Sequence, residues 1–425
     1  MKILFVNTTD MYGGAAVAVS RLMAGLARYY HTENHLIVKE QTYKDVDYVY
    51  RTTKWKLPWL IEIALDKFTN KIGLQYQYFP FSSDFILKKA QDLKPDVINL
   101  HNVHGGFFAA SLLPKLSNIA PIVWTLHDMW SFTGNAVHTF GDESWQKMQS
   151  GPNDKCIYPA IGIDTGRWLL RQKKKIYAAS NISVVPTSEW LEQLVRKSPV
   201  FQGKKISRLP NGIDINVFRP RDKVLCREKA GIPINAKVLM FSAGMLTNNP
   251  YKGGRHLYEI LDEIRKREGA GTDKIDKHLL ILGTGSLKDL EELRNFKIHH
   301  VNEFLGTRNE ERLSELYAAA DLFIYPTKAD TFPLVLEEAI ACGVPCVAFD
   351  VGGCGSLVKE GISGSLVRPF DIKGFVAQVE VLLGNEESRK NLSVKGVSFL
   401  RKNYSLEIVA RKYYEHFCDV IDKDQ

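Results

Sequence analysis

The chain has 425 residues, which is longer than one usual hydrophobic core accommodates and predicts two domains. Hydrophobic residues make up 45% of the sequence and charged residues 24%, so the composition excludes an intrinsically disordered protein. The formal net charge of +8 favours anionic partners, such as phosphorylated ligands or an acidic membrane surface. No nucleic acid is expected as a partner, because the basic residues are scattered and form no motif that reads bases.

The first residues predict a buried strand rather than a targeting segment. The apolar run at 1–6 is too short for a signal peptide, and no apolar run reaches the roughly 18–20 residues that span a bilayer. The six cysteines are unevenly spaced and contain no CxxC pair, which favours reduced thiols over a disulfide framework or a metal site. We therefore expect a cytoplasmic protein without a bound metal.

Short apolar, β-branched runs alternate with helical segments along most of the chain. The predicted strands lie at 3–6, 97–100, 122–126 and 183–186, and then at 238–242, 279–282, 322–326 and 346–349. This alternation predicts parallel sheets covered by helices on both faces. Because the strands are too many for one compact sheet, the turn signal LPNG at 209–212 is the expected break. The predicted fold class is α/β, with two doubly wound domains facing across a cleft and ligand at the carboxyl ends of the strands.

Gly13 and Gly14 follow the first predicted strand and open a predicted helix. Small residues at this place let backbone N–H groups approach a phosphate or a sugar. The spacing is not G-x-G-x-x-G, and the acidic residue that would bind a dinucleotide ribose is missing. A nicotinamide-dependent oxidoreductase is therefore the less favoured alternative.

Three histidines follow strands of the first predicted sheet. His101 and His104 come after the run at 97–100, and His127, followed by Asp128, ends the run at 122–126. Parallel sheets place ligand-binding residues at such strand ends, and this favours His127 most. A structural hydrogen-bonding role is the alternative for each of them.

The second half contains a lysine and two acids in comparable positions. Lys252 follows a polar turn and precedes a helix, where it can reach a diphosphate as a point charge. Asp330 is expected on a loop, and Glu338 lies eight positions later in an apolar helix. Thr331 is expected to cap this helix and Pro333 to occupy its first turn, so that the helix N-terminus attracts phosphate. An amphipathic helix with solvated acids is the alternative.

Two segments combine aromatic, aliphatic and basic residues, at 55–65 and 168–175. Such segments can lie in a membrane interface. Surface helices with buried apolar faces have the same composition, and this alternative stays open.

An ordered set of short motifs runs through the second half, at 304–306 (FLG), 316–321 (LYAAAD), 325–326 (YP), 341–345 (ACGVP), 350–353 (DVGG), 360–361 (EG) and 364–369 (GSLVRP). Together with the acidic stretch at 330–343 and the passage at 210–214, this set resembles the retaining nucleotide-sugar glycosyltransferases of the GT-B fold, glycosyltransferase family 4. The segment at 124–134 is similar to a subgroup that assembles polysaccharides.

The resemblance implies three domain segments: a Rossmann-like acceptor-side domain at 1–209, a Rossmann-like donor domain at 210–404, and a helix at 405–425 that crosses back to the first domain. It implies catalytic roles for His127, Lys252 and Asp330. It implies donor binding by six further residues, which are Gly13, Gly14, Phe332, Leu334, Val335 and Glu338. In this assignment Glu338 holds the nucleotide ribose and Lys252 contacts the diphosphate.

The same resemblance implies a metal-independent, retaining hexosyltransferase with no cofactor beyond its nucleoside-diphosphate sugar. The expected donor is UDP- or GDP-linked, and the expected acceptor is a glycan or a lipid-linked molecule used in cell-surface polysaccharide assembly. The protein would then be cytoplasmic and peripheral at the inner face of the membrane, with an anionic membrane surface as a further partner.

Three positions depart from the family pattern. Asp330 stands where the family has glutamate, and Thr247 stands where it has an arginine five residues before the lysine. The cysteine-rich insert of the polysaccharide subgroup is reduced to Cys156. These departures leave a second function open, a degenerate, non-catalytic protein that binds sugar nucleotides.

Overall fold

A computed structural model describes residues 1–43, 46–53, 55–152, 160–242, 249–268, 277–282, 297–301 and 309–422. Thr247, Cys156 and the motif at 304–306 lie outside the described residues. The chain divides into two compact units, Met1–Gly212 with Glu407–Gln425, and Ile213–Leu406. The domain limits inferred from the sequence, and a cleft between the domains, stay predictions.

The N-terminal unit is a parallel sheet with helices on both faces. Its strands in chain order are β1 (Lys2–Thr9), β2 (Glu33–Glu40), β3 (Val49–Arg51), β4 (Val97–Leu100), β5 (Ile122–Leu126), β6 (Ile182–Pro186) and β7 (Lys205–Ile206). Its first helices are α1 (Gly14–Tyr30), α2 (Lys56–Lys71), α3 (Pro80–Leu93), α4 (Leu113–Ser117), α5 (Gly166–Ala178) and α6 (Glu189–Arg196). The strand order in the sheet is β3-β2-β1-β4-β5-β6-β7.

The C-terminal unit repeats this architecture. Its strands are β8 (Lys237–Ser242), β9 (Lys277–Leu282), β10 (Lys297–Val301), β11 (Leu322–Tyr325), β12 (Cys346–Phe349) and β13 (Gly364–Val367), in the order β10-β9-β8-β11-β12-β13. Its helices are α7 (Lys223–Ala230), α8 (Gly254–Glu268), α9 (Glu310–Ala319), α10 (Leu334–Ala341), α11 (Cys354–Leu357), α12 (Ile372–Gly384) and α13 (Glu386–Tyr404). The last helix, α14 (Leu406–Ile421), returns to the first unit.

Both sheets reverse their direction of growth at one point. In the first sheet the reversal lies between β1 and β4, and in the second it lies between β8 and β11. In open parallel sheets a ligand binds outside the carboxyl ends of the strands at this switch point, because the connections diverge there and leave a crevice. The segments that follow β1, β4, β8 and β11 are therefore where each unit is built to bind.

The first sheet is buried on both faces, as the continuous apolar strands predict. Leu4 and Val6 of β1 pack in one core cluster, whereas Ile3 and Phe5 pack in a second. The second cluster also contains five residues of α14, which are Val409, Ala410, Tyr413, Phe417 and Val420. The C-terminal helix therefore completes the core of the N-terminal unit.

The fold class and the eight predicted strands are confirmed, and five further strands among the described residues were missed. The sequence of β2 is polar at both ends, and only Leu36, Ile37 and Val38 in its middle are buried. The strands β3 and β7 lie at the edges of their sheet and have three and two residues. Among the described residues, no helix combines the length and the apolar character that a bilayer-crossing helix needs.

Candidate functional site

The acidic stretch begins on the loop after β11 and continues into α10. The helix begins at Leu334, and Pro333 is its N-cap, with extended backbone and no side chain that caps the helix. The expectation that Thr331 caps the helix and that Pro333 lies in its first turn is therefore wrong. Two local causes explain the later start. Asp330 Oδ1 accepts the Phe332 amide at 3.2 Å, and a residue before proline disfavours helical geometry, so Phe332 stays outside the helix.

The N-terminus of α10 offers two backbone donors. The amides of Leu336 and Glu337 bond to the carbonyl of Pro333 at 3.0 and 3.3 Å. The amides of Leu334 and Val335, which precede them, have no acceptor among the described residues, as expected for the first turn of a helix. The amide of Phe332, also predicted to bind donor, is already held by Asp330. Two free amides and the positive end of the helix dipole favour an anion here.

Lys252, Tyr325 and Asp330 form a compact cluster beside this helix end. Asp330 Oδ2 accepts a hydrogen bond from Lys252 Nζ at 2.5 Å and another from Tyr325 Oη at 2.7 Å. Lys252 Nζ also lies 3.2 Å from Tyr325 Oη. Burial, and then the charge of Asp330, raise the pKa of Tyr325 well above its ordinary value, so the phenol keeps its proton and donates it. The side chains of Lys252 and Asp330 remain 31% and 12% exposed, which leaves the lysine accessible to a ligand.

Backbone contacts hold the loop of Lys252 against the loop of Asp330. The carbonyl of Tyr251 accepts hydrogen bonds from the amides of Lys328 and Ala329, at 2.8 and 3.2 Å. The hydroxyl of Thr327 donates to the same carbonyl at 2.9 Å. Gly253 adopts a positive φ of 70°, and a Cβ there would lie 1.9 Å from the carbonyl oxygen of Pro326. Only glycine fits at that position, and the lysine before it is thereby fixed.

Glu338 lies in the middle of α10 and is 5% exposed. Its Oε2 accepts a hydrogen bond from Tyr317 Oη of α9 at 3.0 Å. A carboxylate accepts up to about four hydrogen bonds, so the contact with Tyr317 is compatible with a further hydroxyl donor. Its role in ribose binding stays a prediction.

The N-terminal unit contains the other predicted residues. Gly13 is the N-cap of α1 with φ 87°, a conformation that favours glycine, and Gly14 is the first residue of the helix. The prediction that this glycine pair follows the first strand and opens a helix is confirmed. His127 lies at the carboxyl end of β5, and His101 and His104 follow β4. Lys252 and Asp330, in contrast, belong to the C-terminal unit.

A chain of hydrogen bonds determines the tautomer of His127. Asn99 Nδ2 donates to the carbonyl of Val123 at 2.9 Å, so Asn99 Oδ1 faces His101 Nε2 at 2.8 Å and makes that nitrogen the donor. Burial, and then the neighbouring His127, hold the pKa of His101 well below its usual value, so His101 is neutral and its Nδ1 is an acceptor. His127 Nε2, at 2.9 Å from His101 Nδ1, must then carry a proton.

His127 is also neutral at pH 7. Burial lowers its pKa from 6.5 to about 4, although the charge of Asp128 acts in the opposite direction. Because Nε2 carries the single proton, Nδ1 of His127 is a hydrogen-bond acceptor. Asp128 is ionised: burial raises the pKa of its carboxyl, but His104, 2.6 Å away, and the amide of Trp130 lower it below its usual value.

Two family models together match most of the chain. The model described as Glycosyltransferase Family 4 matches residues 12–217, and the model described as Glycosyl transferases group 1 matches residues 236–385. The chain belongs to glycosyltransferase family 4. The protein is therefore a glycosyltransferase of family 4 type, and its two parallel α/β units form the GT-B fold.

A curated relative agrees with this membership, and solved structures agree with the fold. The chain is 27% identical to D-inositol 3-phosphate glycosyltransferase 2 of Catenulispora acidiphila over 76% of this chain and 80% of that protein. Its fold is similar to sucrose-phosphate synthase from Thermosynechococcus elongatus, with a TM-score of 0.69, 16% identity and coverage of 99% of both chains. It is similar to HepE from Anabaena, solved with UDP and glucose, with a TM-score of 0.66, 17% identity and coverage of 98% and 99%.

The predicted residues of this family 4 enzyme thus fall into two groups. One group, Gly13, Gly14 and His127, belongs to the N-terminal unit, and the other belongs to the C-terminal unit. Lys252, Asp330 and the amides of Leu334 and Val335 come together at the switch point of the second sheet. The sequence did not indicate that Tyr325 holds Asp330, and the only signal was a tyrosine at the end of an otherwise apolar strand. Among the described residues, no three His, Cys, Asp or Glu side chains are arranged to hold a metal.

Proposed function

We propose that this glycosyltransferase moves a sugar, with retention at the anomeric carbon, from a nucleoside-diphosphate sugar to a glycan or lipid-linked acceptor. The observation that supports this most is the cluster of Lys252, Tyr325 and Asp330 beside the N-terminus of α10. It joins a cation, two unoccupied amides and an ionisable carboxylate at the switch point of the donor-side sheet. A diphosphate can bind to the cation and the two amides, and the carboxylate can accept a hydrogen bond from a sugar hydroxyl.

The leaving group is a nucleoside diphosphate, so negative charge develops on phosphate while positive charge develops on the sugar. A lysine ammonium has three N–H donors. In this structure two of them point to Asp330 and Tyr325, and the third remains for the diphosphate. With the amides of Leu334 and Val335 on the other side, these fixed donors stabilise the departing phosphate without a divalent cation. We expect no metal and no other cofactor.

Asp330 lies near the reacting carbon in this proposal. Its carboxylate is held by Lys252 and Tyr325, and both bonds reduce its strength as a nucleophile. Substitution at the front face follows: the bond from the anomeric carbon to phosphate breaks, the acceptor oxygen bonds to that carbon on the same face, and the acceptor proton passes to a phosphate oxygen. No covalent sugar–enzyme intermediate forms.

His127 and Gly14 would act from the N-terminal unit. Since Nδ1 of His127 is an acceptor, the histidine receives a hydrogen bond from a donor-sugar hydroxyl rather than giving one. Gly13 and Gly14 provide open backbone beneath the diphosphate. Glu338 would accept hydrogen bonds from the ribose, next to the one it receives from Tyr317.

The donor test is calorimetric titration with UDP, GDP, ADP and TDP, followed by hydrolysis assays with the matching sugars. We expect UDP or GDP to bind, and the similarity to HepE, which was solved with UDP and glucose, supports UDP. Release of nucleoside diphosphate that depends on Lys252 supports an enzyme. Binding without any release, with acceptors present, favours the degenerate sugar-nucleotide binder that Asp330 and Thr247 leave open. Absence of nucleotide binding contradicts both functions.

An exposed apolar face on the N-terminal unit supports a membrane-associated acceptor. Leu57, Leu60, Ile61 and Phe68 lie on one side of α2 and are 69%, 45%, 38% and 60% exposed, and Trp55 before the helix is 78% exposed. The buried residues of α2 are instead Glu62 and Thr69. The alternative of a surface helix with a buried apolar face therefore does not describe α2.

A second segment lies against the end of α2. The amide of Gly162 donates to the carbonyl of Asn70 at 3.0 Å, which brings the start of α5 next to α2. Trp168, 41% exposed, and the basic Arg167 and Arg171 belong to this start. Apolar and basic residues side by side suit an anionic bilayer surface. The protein would then work at the inner membrane face, on lipid-linked acceptors of polysaccharide assembly.

Vesicle flotation tests this surface. The wild type is expected to float with anionic vesicles and to float less with neutral ones. The double variant Trp55→Ser with Phe68→Ser is expected to remain in the soluble fraction. Val381→Ser, at a residue 61% exposed in the other unit, is the matched control and should float like the wild type. Equal flotation of all three proteins would contradict membrane binding through this surface.

A small phosphorylated acceptor is the second candidate. The relative from Catenulispora acidiphila is named for D-inositol 3-phosphate, and its identity of 27% extends over most of both chains. An acceptor panel of inositol phosphates and lipid-linked glycans, offered with the donor that binds best, distinguishes the two classes.

A further inference from the structure

The C-terminal unit contains a cavity of about 730 Å³ far from the donor site. Lys237 at the start of β8, Asp321 before β11 and Pro345 before β12 line it, so it lies at the amino ends of three neighbouring strands. Lys252 and Asp330 follow the opposite ends of β8 and β11. Since β11 has four residues, the strand alone separates the cavity from the donor site by roughly 13 Å. The donor would not occupy this cavity.

Basic side chains dominate the lining. Six of the lining residues are basic and two are acidic: Arg221, Lys223, Arg227, Lys237, Arg389 and Lys390, against Asp321 and Glu386. Asp321 neutralises part of this charge, because it pairs with Lys223 at 2.9 Å and with Arg227 at 2.8 Å. The other acid, Glu386, pairs with Lys390 at 2.8 Å on the exposed rim. Arg221 pairs with Glu311, which does not line the cavity, so among the described residues Arg389 and Lys237 are the two basic lining residues without a carboxylate partner.

Arg389 is the feature that points to an anion. It is only 7% exposed, and no carboxylate of the described residues lies within ion-pair distance of its guanidinium. Its Nη1 donates to the carbonyls of Leu382 and Leu383, both at 2.6 Å, at the end of α12. Its Nε and Nη2 have no acceptor among the described residues. Carbonyls satisfy hydrogens but do not neutralise a charge, and buried charges are nearly always paired.

The pKa of the neighbouring Lys223 is lowered, first by burial and then by nearby cations. Partial burial lowers the pKa of Lys223, and although Asp321 raises it, the charges of Arg227 and Arg389 lower it again, so that the net shift is downward. Burial is the largest cause of this shift, and the contributions of Arg227 and Arg389 show that Lys223 lies among further cations.

We propose that this cavity binds a phosphorylated small molecule, with the phosphate on the buried guanidinium of Arg389 and with Lys237 and Lys390 at the rim. Arginine suits this role because its planar fork matches phosphate oxygens in pairs. The volume exceeds what one phosphate fills and lies in the range of sites for metabolite-sized ligands. Ile234 and Val394 also line the cavity, 51% and 72% exposed, and provide apolar contacts for the rest of the molecule.

Calorimetric titration tests the proposal with three probes: inorganic phosphate, pyrophosphate and a hexose monophosphate, each against chloride at matched ionic strength. We expect saturable binding, with the hexose monophosphate tighter than inorganic phosphate. Because the donor site also attracts phosphate, the titrations are repeated in Lys252→Ala, where binding to the cavity should persist.

Two variants and one control locate the site. Arg389→Gln is expected to weaken binding by on the order of tenfold to a hundredfold, through loss of a charged hydrogen-bond partner. The double variant Lys237→Gln with Lys390→Gln keeps the buried contacts of α12 and should weaken binding severalfold. Lys395→Gln, an exposed residue on the same helix α13 that does not line the cavity, should bind like the wild type.

The outcomes separate a ligand site from a purely structural arginine. If Arg389 only caps α12, Arg389→Gln lowers the melting temperature while no probe binds the wild type beyond the chloride control, and the proposal fails. It also fails if binding disappears in Lys252→Ala or is the same in the double variant as in the wild type. Should Arg389→Gln not fold, the double variant and its Lys395 control decide the matter.

Discussion

Replacement of Lys252 by alanine is the most direct test of the donor site. The ammonium lies 2.5 Å from Asp330 Oδ2 and 3.2 Å from Tyr325 Oη, and the side chain is 31% exposed. In the proposed donor site Thr247 stands where the family has an arginine, so Lys252 would stabilise more of the diphosphate charge alone. Its removal should therefore affect turnover more than it affects folding.

The magnitude follows from the two roles of the lysine. Loss of one preorganised donor to a developing anion costs about 2.7–4 kcal/mol in the transition state, or roughly 10²–10³ in kcat. The ion pair with Asp330 is partly exposed, and such pairs contribute less than about 1 kcal/mol to folding. We therefore expect kcat to fall by about two to three orders of magnitude, while the melting temperature changes by only a few degrees.

The assay is release of nucleoside diphosphate from the donor sugar that binds best, with thermal unfolding measured on the same samples. Arg255→Ala is the matched control, because its side chain lies three residues further on, is 89% exposed and pairs only with Glu259 among the described residues. The control should retain wild-type turnover. Turnover of Lys252→Ala within about threefold of wild type would refute the assignment of the diphosphate to this lysine.

Three further predictions concern other parts of the site. Glu338→Gln keeps an acceptor for Tyr317 but loses the charge, and it should weaken UDP or GDP binding by about 1.5–3 kcal/mol in calorimetry, so unchanged affinity argues against ribose binding. Burial lowers the pKa of His127 to about 4, so above pH ~6.5 the histidine is neutral in both the folded and the unfolded chain. As the pH falls from ~6.5 towards 4, the unfolded chain takes up the proton first, and the free energy of unfolding decreases by up to about 3 kcal/mol. Urea unfolding of His127→Gln should accordingly depend less on pH than that of wild type. Gly253→Ala should lower the melting temperature and turnover more than Gly231→Ala. Both glycines have positive φ, but only at Gly253 would the added Cβ lie 1.9 Å from a carbonyl oxygen. Equal effects of the two substitutions would contradict that close contact.

The fold could be predicted because its main strands are continuous apolar runs. Four residues of β11, for example, are all buried, and such a run has no other stable place in a globular protein. The strand β2 escaped prediction because its register is determined by pairing with β1, from Lys2 opposite Glu33 to Thr9 opposite Glu40, and not by its own polar ends. Pairing partners are a property of the folded chain.

The types of residue in the site could be predicted from the sequence, but the contacts between them could not. The start of α10 was placed too early because Asp330 binds the Phe332 amide, a competition between two local hydrogen bonds that composition does not reveal. The tautomer of His127 depends on Asn99 and His101, which reach it only because β4 pairs with β5. Sequence indicates which groups are present, whereas the sheet decides which of them meet.

The position of α14 has a consequence for how the chain matures. Val409, Tyr413 and Phe417 cover the same face as Ile3 and Phe5, and His416 Nε2 lies 3.0 Å from Ser183 Oγ. The ribosome synthesises the first strand long before α14, so the apolar face of the N-terminal unit stays uncovered while the C-terminal unit is translated. A nascent chain truncated before Leu406 would keep that apolar face exposed and would bind chaperones or aggregate.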